Sequence, residues 1–286
     1  MIGRKACRSS FGRLGLGVWV VLASAALPAG AADLNGFFAK AGEGDLALSL
    51  STESYDHFWL GTRLTSVPPV GKVTTKSASL WMRYAFTDRF QVVADLSYVD
   101  VDSNGTGGFA DKGLQDVTAF AMYRLFESES AGGVRQSLSV AAGIRTPLSN
   151  YVGDAPVSLG DAGTDGLLRL VYQVEVGSFY ASQQIGFDAR GDDPPNGFPL
   201  YTELGYTFGR ATVGGFYIDY IADGGSDIGD PGFTFPGNQE ELQRVGAKAY
   251  VRLTERIGAS ASGFKTLEGR NTGDTTGVSI GLVTHF

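Results

Sequence analysis

The connections along this chain come in two sizes that take turns. Short ones are TDR at 87–89, GS at 177–178, GR at 209–210 and TER at 254–256, with ESESAGGVRQ at 127–136 somewhat longer. Long ones occupy 56–72, 102–113, 149–163, 191–198, 222–241 and 268–275, rich in Gly, Asp, Asn and Pro. Between them lie about twelve runs with apolar residues at every second position, centred near Leu48, Leu80, Ala94, Ala121, Ala141, Val171, Gln184, Leu204, Phe216, Ala249, Ala261 and Ile280. Each run has the roughly 9 to 11 residues of a tilted membrane strand. Six long connections, five short ones and both termini on the short side are what an even-stranded barrel requires. The expectation is an all-β fold: a transmembrane antiparallel up-and-down β-barrel of about 12 strands, with short periplasmic turns and long extracellular loops.

The aromatics agree. Tyr84, Phe86, Phe90, Phe126, Phe179, Tyr206, Phe208 and Phe286 stand beside short turns or at the end, where amphipathic rings would form an interfacial girdle. The chain stops on GVSIGLVTHF, in which Val278, Ile280 and Leu282 alternate up to a terminal Phe286. In a closed barrel the last strand must bond to the first, because lipid cannot satisfy an open edge. This ending resembles bacterial outer-membrane proteins, whose final strand ends in Phe and is read by the barrel-assembly machinery. Ile280, Leu282 and Phe286 are the assembly signal that the resemblance implies; Thr284 departs from it, since an apolar residue is usual there.

At the other end, Arg4, Lys5, Arg8 and Arg13 precede the apolar run LGLGVWVVLASAAL at 14–27 and the small residues AGA at 29–31. That layout reads as a signal peptide, 1–31, cleaved near Ala31 or Ala32. Its 14-residue apolar run falls short of the roughly 20 a membrane-spanning helix needs. A periplasmic arm, 32–44, and the barrel, 45–286, follow. The single cysteine, Cys7, lies in the leader, so the mature chain has no disulfide, thiolate metal site or cysteine nucleophile. Removing four of the 23 basic residues and none of the 30 acidic ones leaves a balance of −11, unsuited to nucleic acid.

Strand alternation assigns the faces. Leu46, Leu48, Leu50, Leu80, Met82, Tyr84, Leu138, Val140, Ile144, Leu168, Leu170, Tyr172, Val245, Ala247, Ala249 and Val251 are expected against lipid. The lumen is expected to hold Asp45, Glu53, Asp95, Asp116, Glu175, Glu203 and Asp219 opposite Arg83, Arg124, Arg145, Arg169, Arg244, Lys248 and Arg252. Charges on facing walls should pair, with water among them. Arg244, Lys248 and Arg252 recur at intervals of four, about 13 Å apart by strand rise, and would make a basic track. Phe120, Tyr201, Tyr217 and Tyr250 would offer aromatic surface beside it.

No cofactor or metal site is expected, since the acidic loops match no calcium-binding spacing and read as a solvated rim. An enzyme is not expected either. His57 and His285 are the only histidines, and His57 is followed by Phe58 and Trp59 rather than by a serine two positions on, as in barrel phospholipases. Asp56 beside His57 resembles the Asp/His pair of barrel proteases, but strand neighbours would point to opposite faces unless they lie in a loop.

The stretches KGLQDVTAFAMYRL (112–125), GIRTPLSNYVGD (143–154), EGRNTGDTTGVSIGLVTHF (268–286) and AGEGDLALS (41–49) resemble the outer-membrane family of meta-pathway phenol degradation proteins and transporters. The resemblance implies a barrel in the bacterial outer membrane, among lipid and lipopolysaccharide, that passes small hydrophobic or aromatic solutes by passive diffusion. The alternatives are a structural or surface-binding barrel whose lumen is closed by its own salt bridges, and an outer-membrane hydrolase.

Overall fold

The computed structural model describes residues 34–67, 69–151, 153, 157–160, 162–191, 194–233 and 237–286. The expected leader lies outside them. Fifteen strands follow in order: β1 (Gly44–Tyr55), β2 (Phe58–Leu60), β3 (Arg63–Thr65), β4 (Val73–Thr87), β5 (Phe90–Ser103), β6 (Ala110–Leu114), β7 (Asp116–Glu129), β8 (Val134–Pro147), β9 (Asp165–Val176), β10 (Phe179–Ala189), β11 (Gly197–Phe208), β12 (Ala211–Ala222), β13 (Glu240–Arg252), β14 (Ile257–Arg270) and β15 (Thr276–His285). Strands β6 and β7 both pair with β5 and form one stave interrupted at Gln115. With the small β2–β3 hairpin set apart, the ring has twelve staves, each antiparallel to its neighbours. All twelve expected centres fall inside strands; β2, β3 and β6 occupy stretches expected to be loop.

The ring closes where β1 meets β15, from Asp45 opposite His285 to Ser54 opposite Thr276. Beyond the last strand residue, Phe286 still takes part: its N–H donates to Gly44 O (3.0 Å) and its carbonyl accepts from Gly44 N–H (2.8 Å). The terminal aromatic therefore finishes the seam. Its ring stacks on Tyr84 (6.5 Å), which meets Phe86 edge-on (4.9 Å). With Phe90, Tyr206 and Phe208 these rings form the girdle at the short-turn end.

The outer wall is apolar and exposed, reaching 64 % exposure at Ile280, as a surface solvated by lipid should be. The inner wall is filled. One phase assignment is corrected here: Tyr217 and Asp219 face outward, in step with exposed Val213 and Ile221, while Phe216, Ile218 and Tyr220 are buried inside. Directly opposite residues share a face, and β12 is registered so that Ile218 opposes inward-pointing Arg244 and Tyr220 opposes buried Leu242. The partner strand thus fixes the phase.

The arm is also placed differently from the periplasmic segment expected at 32–44. Its described part begins inside the ring, where Leu34 and Phe38 are buried at 3 % and 6 % exposure. It leaves at the short-turn end, where Ala41 N–H donates to Asp88 Oδ1 (2.9 Å) and Gly42 N–H to Ala85 O (2.8 Å). Two apolar side chains and the aromatic Phe37 have no lipid to enter, and the lumen wall is the apolar surface within reach.

Candidate functional site

The lumen is the concave interior onto which all twelve staves project side chains. Most of its expected charges are paired. Arg83 holds Asp45 through Nε (3.0 Å) and Nη2 (2.5 Å), with both side chains 4 % exposed. Arg145 Nε bonds Asp165 (2.8 Å), Arg169 bonds Asp188 (2.5 Å), and Lys248 bonds Glu203 (2.7 Å) and the Tyr201 hydroxyl (3.2 Å). Nearer the short turns, Arg124 meets Glu127 (2.6 Å) and Arg135 approaches Glu175 (3.8 Å). Burial raises the cost of an unpaired ion, so the pairs of Arg83, Arg145, Arg169 and Lys248 are held by the loss that would follow from breaking them, whereas Arg135 and Glu175 are partly exposed.

Apart from the outward-facing Tyr217 and Asp219, the remaining expected lumen residues also face inward. Asp116 accepts a hydrogen bond from the Tyr151 hydroxyl. Asp95 lies between Trp81 and Thr118 in register. Phe120 is buried beneath the Arg169 guanidinium, 5.4 Å from its ring centre. Glu53 projects beside Gly277, against which the Phe264 ring packs. Arg244, Lys248 and Arg252 share one face of β13 yet meet different surroundings. Arg244 lies over the Phe264 ring (4.2 Å), with Nε unpartnered among the described residues, while Arg252 lines the cavity at the short-turn end. They do not form one continuous track.

Several residues that build the site were missed in the sequence. Asp165 and Asp188 supply carboxylates to Arg145 and Arg169, and both lay near expected loop boundaries. Counting back in twos from Arg169 reaches Asp165, which would have revealed it. Tyr180, Gln173, Gln184 and Gln91 carried no charge to mark them.

These neutral polar residues hold the arm. Gln184 Oε1 accepts from Leu34 N–H and Gln173 Oε1 from Gly36 N–H, both at 2.8 Å. On the facing wall the Phe37 carbonyl accepts from Arg83 Nη1 (3.0 Å) and Gln91 Nε2 (3.2 Å). Leu34 and Phe38 pack into a cluster with Val93, Phe120, Met122, Ala141, Leu167 and Val171, and Phe37 meets Tyr180 edge-on at 5.1 Å. Gly36 is required by close approach: a Cβ there would come within 2.5 Å of Gln173 Cβ. Below the arm, towards the short turns, opens a cavity of about 1190 Å³ lined partly by Arg124, Arg252 and His285.

The two histidines have separate roles. His285 bridges Asp45 Oδ1 (Nδ1, 2.6 Å) and the Tyr250 hydroxyl (Nε2, 2.6 Å) at the seam. His57 pairs with Asp56 (2.8 Å) in an exposed loop, and no hydroxyl nucleophile is hydrogen-bonded to it among the described residues. At the opposite end of the barrel, Asp227 accepts from Arg270 Nε (2.8 Å) and Nη2 (2.9 Å) and from Asn271 Nδ2 (2.7 Å). Asn271 Oδ1 accepts from Gly61 N–H (2.8 Å) and Ile228 N–H (3.1 Å), so three long loops share one clasp. Arg270 holds the Asp227 carboxyl below the usual carboxylate range by these hydrogen bonds, helped by Asn271.

The sequence profile of the family described as "Putative MetA-pathway of phenol degradation" matches residues 73–282. No curated protein sequence matches the chain. Among solved structures, the COG4313 outer membrane channel from Pseudomonas putida F1 superposes with a TM-score of 0.70 at 15% identity, over 87% of this chain and 97% of that one. The translocator domain of autotransporter NalP from Neisseria meningitidis gives a TM-score of 0.47 at 11% identity, over 87% and 90% of the two chains. The profile spans most of the barrel and the superposition covers nearly the whole of the channel, so the chain belongs to the Putative MetA-pathway of phenol degradation family and is built as a twelve-stranded outer-membrane β-barrel.

Proposed function

We propose that the protein is a passive outer-membrane channel for small aromatic solutes, gated from within by its N-terminal arm. The observation that carries this reading is the arm itself. It is a short segment, held by four hydrogen bonds and three apolar side chains, lodged in a lumen whose wall is otherwise continuous. Displacing it breaks no pair of the sheet. A solute arriving from the loop side would have to part the packed cluster of Tyr201, Phe216, Ile218 and Phe264, with the Arg244 guanidinium stacked on the last. Such a surface exchanges ring contacts with an aromatic guest at little cost and offers a cation to its π face. The fold shared with the Pseudomonas channel supports transport, and delivery to the membrane would use the β15 ending that resembles an assembly signal.

The buried ion pairs favour a second reading, a structural barrel with a closed lumen: Arg169 and Asp188 are both fully shielded from solvent. Planar-bilayer conductance separates the two. Wild type should conduct weakly, and both a variant lacking 34–40 and Gly36→Val should conduct several-fold more, with faster phenol entry into liposomes. Conductance at baseline in all three proteins would overturn the channel reading.

A further inference from the structure

On the outer wall around the seam, the register lines up side chains from neighbouring staves at equal height. The lowest of three such rows is aliphatic throughout: Leu282, Leu48, Leu80 and Leu96 on β15, β1, β4 and β5. The next row, towards the long loops, reads Ile280, Leu50, Ala78, Tyr98 and, on β6, Leu114. One short side chain between tall neighbours leaves a notch. The third row reads Val278, Thr52, Lys76, Asp100 and Lys112. Here the wall changes from apolar to charged within one strand repeat.

The notch is a real concavity of about 640 Å³, bounded by Leu50, Ala78, Tyr98, Val278 and Ile280, with Lys76 and Asp100 at its mouth. That volume lies within the roughly 300 to 1,000 Å³ of small-molecule clefts. Lys76, Asp100 and Lys112 are all exposed, and no ion pair joins either lysine to the carboxylate among the described residues. Towards the loops, exposed Asp102 and Lys72 add one charge of each sign, so three ammonium groups against two carboxylates leave a local positive charge on a chain that is acidic overall. A lysine at the edge of an apolar band extends its stem along the wall and its head group into the polar layer, where it meets lipid phosphate.

We propose that this surface seats one lipopolysaccharide molecule, with a lipid A phosphate between Lys76 and Lys112 and an acyl chain in the notch over Ala78. The site lies outside the lumen, so it is independent of the channel reading. Purified protein refolded in detergent would be titrated with lipopolysaccharide, and binding read by native mass spectrometry. The K76Q/K112Q variant should bind roughly tenfold more weakly or worse, and Ala78→Phe, which fills the notch, should do likewise. Lys76→Arg together with Lys112→Arg should restore binding. Wild type given dephosphorylated lipopolysaccharide should behave as K76Q/K112Q does with the intact lipid. Heat-modifiable migration should stay at the wild-type position in all of them, which certifies folding. Wild-type affinity in K76Q/K112Q, or equal binding of phosphatidylglycerol and lipopolysaccharide by the native protein, would overturn the assignment.

Discussion

Charged networks tie both ends of the barrel, and they differ in what surrounds them. At the short-turn end, Arg83, Asp45, His285 and Tyr250 lie across the seam, with the ionic pair 4 % exposed on both sides. At the long-loop end, Arg270, Asp227 and Asn271 join three loops, and the ionic pair is 26 % and 27 % exposed. Hydrogen-bond counts are similar. The dielectric is not: a buried charge that loses its partner has nothing to replace it, while an exposed one takes water. The first network should therefore behave as a structural requirement and the second as an adjustable fastening.

The largest effect is expected from Arg83→Met. Asp45 would keep His285 but lose its guanidinium, and the arm would lose one anchor on the Phe37 carbonyl. A cost of about 3 to 5 kcal/mol is expected, typical of an orphaned buried ion. Urea titration of the refolded barrel should show it. Adding Asp45→Leu sharpens the comparison, because removing both charges should recover most of that loss. A double variant no better than Arg83→Met would mean that packing, not the stranded charge, sets the cost.

At the other end, Asp227→Ala should cost about 1 kcal/mol or less, as exposed pairs do. It should instead raise protease cleavage within the 222–240 loop. The smallest effect concerns pH. The folded Asp227 carboxyl is held below its ordinary value by Arg270, so its contribution is fully present above the ordinary range near pH ~4. It is lost only as pH falls through the lowered folded value. Loop hydrogen exchange should therefore be flat from pH 7 to about 5, after correction for the intrinsic rate, and should rise only in stronger acid. A rise already near neutrality would show that a group other than Asp227 controls the loops.

The strand positions and the sorting of loops were legible because lipid enforces alternation: each outward residue must be apolar, and a run such as Leu46, Leu48, Leu50 announces its phase. Legibility failed where the lumen is itself apolar. In GGFYIDYIA, at 214–222, both phases carry aromatic or aliphatic residues, so polarity pointed Tyr217 and Asp219 inward. Only pairing with β13 decides the matter, and pairing is not written in one strand. The arm was illegible for a related reason. Leu34, Phe37 and Phe38 read as a short apolar segment, and their receptors, Gln173 and Gln184, are neutral residues more than 130 positions away. The lysine pair at the notch shows the same limit, since Lys76 and Lys112 share a row only once β5 lies between them.

The arm also bears on the shape of the ring. Hydrogen bonds between staves fix the circumference of a barrel but resist ovalisation poorly, because each strand pair can pivot a few degrees about its ladder. A peptide bonded to β9 and β10 on one side and to β4 and β5 on the other acts as a spoke in a hoop. Such a tie would brace the cross-section against lateral pressure from the bilayer. Withdrawing it would leave the circumference unchanged while letting the section breathe, so under the proposed gating wall compliance and passage through the centre would be set by the same few contacts.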